Sequence, residues 1–167
     1  DGEYTDSDTF TLTVNPVNDA PVLANISDVV FDEDQTASLS LSASDVDEDD
    51  LTFSISGGDQ ITASLSGSDV LFTALENYNG SETFTINVND GQYTDSQDIN
   101  VTVNPVNDAP FANDISGSTD EDEDVSITLD GSDIDGDDLT YILDQDSSDG
   151  SVSITDAIAT FIPEDDF

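Results

Sequence analysis

The stretch Val14-Asn15-Pro16-Val17-Asn18-Asp19-Ala20-Pro21 occurs twice in this chain, because the same eight letters return at positions 103–110, 89 residues later. A run of alternating apolar and polar residues leads into each copy, over positions 9–14 and 99–103, and a new apolar segment follows each copy. Alternation with a period of two is typical of a half-buried β-strand. The duplicated stretch therefore predicts a joint between two copies of one module.

Three further matches give almost the same period, and self-similarity at a fixed spacing is the sequence signature of repeat proteins. The matching pairs are residues 1–7 with 90–96, residues 44–53 with 132–141, and residues 72–78 with 161–167. They predict three segments: residues 1–17 as the last strand of a preceding module, residues 18–106 as one complete module, and residues 107–167 as a second module that lacks its last two strands.

The complete module contains seven candidate strands and no helical stripe. Five of them alternate with a period of two, and Gly, Asn or Asp residues mark the breaks between them. The predicted strands are 22–31, 36–41, 51–55, 61–65, 70–72, 84–88 and 99–103. About seven short strands in about 90 residues are typical of an immunoglobulin-like β-sandwich. The predicted fold class is therefore all-β, with tandem sandwiches.

The second module retains candidates for five strands. They lie around Ile115 and over residues 125–129, 139–143, 152–154 and 158–162. Two hypotheses account for the two absent strands. Either the chain continues beyond Phe167, or another copy of the chain supplies a strand, and residues 10–14 are the kind of segment that could be donated.

The charge of the chain restricts its partners. It carries forty Asp and Glu residues, no Lys, Arg or His, and a net charge of −40. No acidic group can find a basic side-chain partner, so the folded chain is expected to need cations. Nucleic acid is excluded as a partner because nothing here can neutralise phosphate. No apolar run approaches the ~18 residues of a membrane span, so membrane insertion is not expected.

The composition also argues against enzymatic activity. Without His, Cys or Lys the chain cannot build a Ser-His triad, a thiol nucleophile, a Schiff base or an imidazole metal site. Paired carboxylates could serve a glycosidase, but forty carboxylates make chance pairs common and no Trp is present to line a cleft. We therefore expect no catalytic activity.

Oxygen ligands for a metal are the strong chemical signal. Calcium takes six to eight oxygens from carboxylates, carbonyls and Asn amides. The run Asp45-Val46-Asp47 sets two carboxylates on one side of the backbone, and Asp133-Ile134-Asp135 repeats it. Val46 and Ile134 are expected to point into the core while the Asp pairs point outward. Because the acidic run is duplicated beside a duplicated Asn-Asp joint, calcium is favoured over a solvated acidic turn.

The residues around the joint resemble the end of a cadherin repeat. The resemblance rests on residues 86–91, on Ser96, on residues 99–110, and on the run Ala43-Ser44-Asp45-Val46-Asp47. Closer still are the cadherin-like tandem repeats of giant bacterial surface adhesins, whose joints read Val-Asn-Asp-Ala-Pro. The resemblance covers essentially the whole chain, and it implies cadherin-like Greek-key sandwiches outside the cell or on its surface.

The resemblance also implies Ca²⁺ at each joint. For the first joint the matching positions are Asn15, Asn18, Asp19, Asp45, Asp47 and Asp90. For the second joint they are Glu33 and Glu76 at the base of the upstream module, Asn104, Asn107 and Asp108 in the joint, and Asp133 and Asp135 at the top of the next module. Cadherin joints carry Asp where this chain has Asn104 and Asn107, which reduces the charge of the site and the expected affinity.

The leading hypothesis is a structural spacer of an extracellular adhesin or surface fibre, stiffened by calcium between neighbouring repeats of the same chain. A second hypothesis is a calcium-dependent carbohydrate-binding module, for which Tyr4, Tyr78 and Tyr93 are the candidate contacts with a glycan. A third is a self-assembling filament subunit, completed by a strand from another copy.

Overall fold

A computed structural model describes residues 2–164, so Asp1 and residues 165–167, at the outer ends of the predicted first and third segments, lie outside the described part. The described residues form strands and turns and contain no helix. The chain divides into two compact units, which we call unit 1, ending at Pro105, and unit 2, beginning at Val106. The predicted all-β fold class is confirmed.

The described residues of unit 1 form nine strands. They are β1 Val22–Leu23, β2 Val29–Asp32, β3 Thr36–Ser40, β4 Ala43–Ser44, β5 Thr52–Gly57, β6 Ile61–Ser66, β7 Asp69–Ala74, β8 Gly80–Asn89 and β9 Thr94–Asn104. The sequence alternation translates directly into burial. On β8, Phe84, Ile86 and Val88 are fully buried, while the residues between them face outward.

Two sheets make the sandwich of unit 1. One has the order β2-β9-β8-β5 and the other the order β3-β7-β6, with a short β1-β4 ladder beside them. All pairs are antiparallel except β2 and β9, which run parallel from Val29 opposite Val101 to Asp32 opposite Asn104. The single strand predicted over residues 22–31 is therefore split, because β1 pairs with β4 and β2 pairs with β9.

The core of unit 1 lies between the two sheets. The ring of Phe72 from β7 meets the ring of Phe84 from β8 edge to face, with centroids 5.2 Å apart and planes at 72°. Both side chains are fully buried. Burial of one such side chain contributes about 1.5 to 3 kcal/mol to the stability of the fold. This aromatic pair is therefore one of the main contacts that hold the two sheets together.

Unit 2 repeats one half of this architecture. Its strands are β10 Phe111–Ala112, β11 Val125–Thr128, β12 Gly131–Ser132, β13 Gly150–Thr155 and β14 Ile158–Pro163. The sheet β11-β14-β13 corresponds to β3-β7-β6, and the β10-β12 ladder corresponds to β1-β4. In the described part of unit 2 no second sheet covers the apolar face of β11-β14-β13.

Two of the strands predicted in unit 2 are not formed among the described residues: the one over residues 139–143 and the one around Ile115. The counterpart of residues 139–143 is β5, which pairs only with β8, and no described segment of unit 2 corresponds to β8, so this predicted strand has no ladder to join. The counterpart of Ile115 at the 89-residue spacing is Ile26, which lies between β1 and β2 and is in no strand of unit 1 either.

The strand predicted over residues 9–14 is likewise not formed, because residues 2–21 contain no strand. Phe10, Leu12 and Val14 are 90%, 79% and 84% exposed. An isolated extended segment gains no ladder hydrogen bonds or cross-strand contacts to offset its conformational entropy. The assignment of residues 1–17 to a preceding repeat stays a prediction.

Candidate metal centre

The acidic turn after β4 gathers three carboxylates at the end of unit 1. The Oδ1 atom of Asp45 accepts hydrogen bonds from the backbone N–H of Asp47 at 2.8 Å and of Asp49 at 3.5 Å. Glu48 turns the chain between them with a φ of 63°, in the left-handed region. As a result, one oxygen from each of Asp45, Asp47 and Asp49 lies within 4.8 Å of the other two. We call this group the Asp45 cluster.

The repeated joint stretch is fastened to this cluster. The backbone N–H of Asp19 donates to Oδ2 of Asp47 at 2.7 Å. The side-chain amide of Asn18 donates to Oδ2 of Asp90 at 2.9 Å and to the carbonyl oxygen of Asp19 at 2.8 Å. Five of the six residues predicted for the first joint are thus connected around the turn, from segments that are far apart in sequence.

Asn15 is the sixth residue predicted for this joint. It is exposed, and the hydrogen bonds that connect the described residues of the Asp45 cluster do not involve it. Asp49 is the opposite case, since the sequence prediction did not include it. The sequence did contain a signal for this residue, because Asp49 continues the every-second-residue spacing of Asp45 and Asp47.

The negative charges of the Asp45 cluster are not balanced by any basic side chain. The Oδ2 atom of Asp45 is buried and has no hydrogen-bond partner in the part of the chain that the structure describes. Partial loss of water and the negative charges of Asp45 and Asp47 raise the pKa of Asp49 above its ordinary value. The chain has no basic residue to offset these charges. Carboxylate oxygens in this condition fit a bound cation.

Asp90 is held differently. Its Oδ1 atom accepts the backbone N–H groups of Tyr93 and Gln92, each at 2.6 Å. The hydrogen bond from Tyr93 leads the causes that lower the pKa of Asp90, and those from Gln92 and the Asn18 side chain add to it against partial burial. Asp90 is therefore an anion fixed in place by the turn between β8 and β9.

The predicted orientation of the residue between the paired Asp side chains is wrong. Val46 is 79% exposed and Ile134 is 63% exposed, so neither enters the core. Alternation along an extended backbone sends neighbours to opposite sides. Because Asp45 turns its carboxylate inward to accept the N–H groups of the turn, the apolar residue that follows must face the solvent.

Unit 2 repeats the hydrogen bonds of this turn and of the joint residues beside it. The N–H of Asp108 donates to Oδ2 of Asp135 at 2.7 Å, and the side chain of Asn107 donates to the carbonyl oxygen of Asp108 at 2.7 Å. Oδ1 of Asp133 accepts the N–H of Asp135 at 2.9 Å and of Asp137 at 3.3 Å. Asp137 is thus the counterpart of Asp49, and Gly136, with φ 79°, is the counterpart of Glu48.

Of the other predicted ligands, Glu33 and Asn104 lie at the far end of β2 and β9 in unit 1, and Glu76 follows β7. Glu33 is buried, with 3% of its surface exposed, and its N–H donates to the carbonyl oxygen of Asn104 at 2.9 Å. The Asn104 side chain donates to Oδ1 of Asp32 at 3.0 Å. Glu76 is exposed. The structure therefore joins Asn104 to the acidic stretch that holds Glu33, and adds Asp32 as a neighbour that the prediction had not chosen.

Two sheets closed over one core, and an acidic turn repeated in tandem, define an immunoglobulin-like repeat of the cadherin-like kind. The chain belongs to the bacterial Ig domain family, whose sequence model matches residues 18–102 and 107–167. Domains of this kind usually occur in extracellular surface proteins and are typically structural rather than enzymatic. Among curated proteins, none matches the chain significantly.

Solved structures agree on the fold. Two crystal structures of human protocadherin-24 EC1-2 superpose with TM-scores of 0.58 and 0.54, at 21% and 22% sequence identity. Each alignment covers 89% of this chain and 79% of the protocadherin chain. The predicted cadherin-like, immunoglobulin-like repeat is confirmed. Within residues 2–164, no helix is long and apolar enough to cross a membrane.

Proposed function

We propose that this chain is a structural spacer from an extracellular adhesin or surface fibre, and that calcium at its joints stiffens the array of repeats. The observation that carries the proposal is the buried Oδ2 atom of Asp45, which has no hydrogen-bond partner among the described residues. An unpaired buried carboxylate oxygen is costly. Beside two more carboxylates, in a chain without Lys, Arg or His, a cation is the partner that this oxygen fits.

The donor set matches the chemistry of calcium. Every candidate ligand is an oxygen from a carboxylate or an Asn amide, and the chain contains no thiol or imidazole. In unit 1 the residues that would hold the ion are Asn18, Asp19, Asp45, Asp47, Asp49 and Asp90. A bound divalent ion supplies positive charge between these groups, and the residues themselves link the joint to the turn after β4.

The second joint follows the same logic with Asn107, Asp108, Asp133, Asp135 and Asp137. We propose that Glu33, Glu76 and Asn104 complete it from the base of the upstream repeat, in line with the cadherin resemblance. Asn15 occupies the position of Asn104 in the repeat, and we propose the same ligand role for it at the first joint. Extracellular calcium modules have dissociation constants of about 10⁻⁴ to 10⁻³ M. Since Asn104 and Asn107 replace charged ligands, we place the joint in this range, where environmental calcium sets its stiffness.

Titration calorimetry with calcium and with magnesium tests the ligand set. The wild-type chain should bind calcium, and Asp45→Asn should lose the site in unit 1. Asp59→Asn is a matched control, because it removes the same charge from an exposed loop between β5 and β6. Equal calcium binding by wild type and Asp45→Asn would reject the assignment of Asp45.

Small-angle scattering of the whole chain tests the stiffening itself. In calcium we expect a narrower distribution of interatomic distances than in chelator, because mutual repulsion of the joint carboxylates is then offset. Asp59→Asn should behave like wild type in both conditions. Superimposable scattering curves with and without calcium would refute the proposed function.

A further inference from the structure

The turn between β7 and β8 holds the only Asn-Gly pair of the sequence, Asn79-Gly80. An asparagine amide is most easily lost before glycine, because glycine has no side chain to keep its own backbone nitrogen away from the amide carbon. Asn15 and Asn104 precede proline, which has no N–H to react. Every other asparagine precedes a residue with a side chain. Asn79 is therefore the asparagine whose neighbour most favours a spontaneous reaction.

The fold leaves this pair open to that reaction. Asn79 is exposed and lies outside the strands, and the hydrogen bonds of the described residues do not involve its side chain. Gly80 has a φ of 154°, and a Cβ atom there would lie 2.6 Å from the hydroxyl oxygen of Tyr78. The Tyr78 ring packs against the core of unit 1. Glycine is thus the residue that fits at position 80, and the reactive pair belongs to the architecture of the turn.

The Asp90-Gly91 pair, at the other end of β8, shows how this fold can block such chemistry. Its attacking nitrogen is engaged, because the N–H of Gly91 donates to Oδ1 of Asn89 at 2.8 Å. Its carboxylate is fixed by the N–H groups of Gln92 and Tyr93, each 2.6 Å from Oδ1 of Asp90. The side chain of Asn79 has no restraint of this kind within the described part of the chain.

The strand register places Asn79 beside a predicted ligand at the far end of unit 1. Gly80 of β8 pairs with Val103 of β9, so the next position outward sets Asn79 against Asn104. On its other side, β9 pairs with β2, where Asn104 lies opposite Asp32. A charge gained at position 79 is therefore gained at the edge that carries Asn104.

The same turn is tied to the acidic stretch after β2. The N–H of Asn77 donates to Oδ1 of Asp34 at 3.5 Å. Glu76 lies in this turn, and the buried Glu33 precedes Asp34 in the chain. This end of unit 1 therefore carries several carboxylates with no basic group to offset them, and one further charge alters its electrostatics.

We propose that Asn79 is a site of spontaneous deamidation, which changes the charge of this end of unit 1 with time. The backbone nitrogen of Gly80 attacks the side-chain carbonyl carbon Cγ of Asn79 and forms a C–N bond. The bond from Cγ to the amide nitrogen breaks, and that nitrogen leaves as ammonia with the proton of Gly80. Water then opens the resulting succinimide ring at either carbonyl carbon. The product is aspartate or isoaspartate at position 79, and no oxidant, reductant or enzyme takes part.

The modification tightens calcium binding at the second joint. This step rests on the proposed function, in which Glu33, Glu76 and Asn104 complete that site. Either product places one more carboxylate beside these residues, and a carboxylate attracts a divalent ion more strongly than an amide does. Because the loss of ammonia is not reversed, the modified fraction grows with the age of the chain, and the calcium response of the joint changes with it.

Mass spectrometry of the whole folded chain, kept in warm and mildly alkaline buffer, tests the covalent step. We expect ammonia release, isoaspartate at position 79, and conversion roughly tenfold or more faster than at Asn25, an exposed asparagine followed by isoleucine. Asn79→Gln should abolish the reaction at this position, because the longer side chain closes a ring much less readily. Conversion at Asn79 no faster than at Asn25 would overturn the proposal.

Titration calorimetry of Asn79→Asp, which reproduces the aspartate product, tests the consequence. Calcium binding at the second joint should become roughly fivefold tighter, as expected for one more unit charge close to a divalent ion in water. Asn25→Asp adds the same charge in the exposed segment between β1 and β2 and should leave the affinity unchanged. Equal affinities of Asn79→Asp and wild type would contradict the effect on the joint.

The two readouts distinguish the modification from the calcium site. Deamidation is measured without metal, so a chain that binds no calcium but loses ammonia at Asn79 contradicts the spacer proposal and leaves the modification site established. A chain that binds calcium but keeps its Asn79 amide contradicts the modification site and leaves the spacer proposal intact.

Discussion

Replacement of Asp45 by Asn should stabilise unit 1 in chelator and destabilise it in calcium. The substitution keeps the Oδ1 acceptor for the turn and removes one negative charge. Neighbouring carboxylate oxygens lie within 4.8 Å of that charge. At this distance each like-charge pair costs about 1 kcal/mol in water-like surroundings. After screening by salt we expect the variant to gain about 1 kcal/mol when no divalent ion is present.

Calcium reverses the order of stability of the wild type and the Asp45→Asn variant. At a concentration of one hundred times the dissociation constant, binding stabilises the wild type by about 2.7 kcal/mol. If loss of the Asp45 carboxylate weakens binding about a hundredfold, the variant gains only about 0.4 kcal/mol at the same concentration. The deficit of about 2 kcal/mol exceeds the gain from relieved repulsion, so the variant becomes the less stable protein by about 1 kcal/mol.

Amide hydrogen exchange on β8 is the suitable assay, because those amides lie in the core sheet of unit 1 and report on that unit alone. Asp59→Asn provides the charge-matched control and should show no reversal between the two conditions. An Asp45→Asn variant with the same stability rank relative to wild type in calcium and in chelator would contradict this prediction.

Three further predictions concern unit 1. Burial raises the pKa of Glu82, but backbone N–H groups of residues 59–61 outweigh it and lower the pKa overall. The stability from this carboxylate is therefore complete above the ordinary Glu pKa and lost as pH falls through the lowered value, and Glu82→Gln should flatten that part of an acid titration followed by circular dichroism. Glu48→Gly should stabilise by up to about 1 kcal/mol in hydrogen exchange, because φ is 63° there and the equivalent residue is Gly136. Phe72→Ala should cost about 3 to 5 kcal/mol in urea unfolding, because its ring is fully buried.

The repeat made much of the candidate site predictable. One copy of an acidic turn is common on protein surfaces, but two copies at matching distances from two identical joints point to a shared role. Asn18, Asp19 and Asp47 were accessible in this way, and hydrogen bonds do connect them. Their calcium ligation stays a prediction.

Asp49 and the outward side chain of Val46 were harder to predict, for one physical reason. Both depend on which way the turn folds, and the turn is set by Asp45 accepting backbone N–H groups and by the positive φ of Glu48. Hydrophobic alternation assigns Val46 to the inside. It cannot weigh that preference against the backbone donors that need the Asp45 carboxylate.

The other proposed partners are glycans and a second copy of the chain, and both stay predictions. Tyr78, one of the candidate glycan contacts, packs against the core of unit 1 instead of standing on an outer face. Tyr4 and Tyr93 are exposed. Strand donation between copies would place residues 10–14 on the uncovered face of unit 2. The oligomeric state of the chain on dilution tests that hypothesis, and a chain that stays monomeric at all concentrations would reject it.

Two segments of identical sequence have different conformations, which shows the limit of predicting structure from local sequence. Thr13-Val14-Asn15 repeats Thr102-Val103-Asn104, yet the second copy lies in β9 and the first forms no strand. Both have the same intrinsic preference, so the difference comes from the neighbours β8 and β2, whose hydrogen bonds and buried contacts offset an entropy cost of about 1 to 2 kcal/mol per residue. In unit 2, β11, β13 and β14 form because all three partners of that sheet are present, whereas residues 139–143 carry a good strand pattern and stay irregular. In this fold the smallest unit that a sequence can specify is therefore the sheet and not the strand.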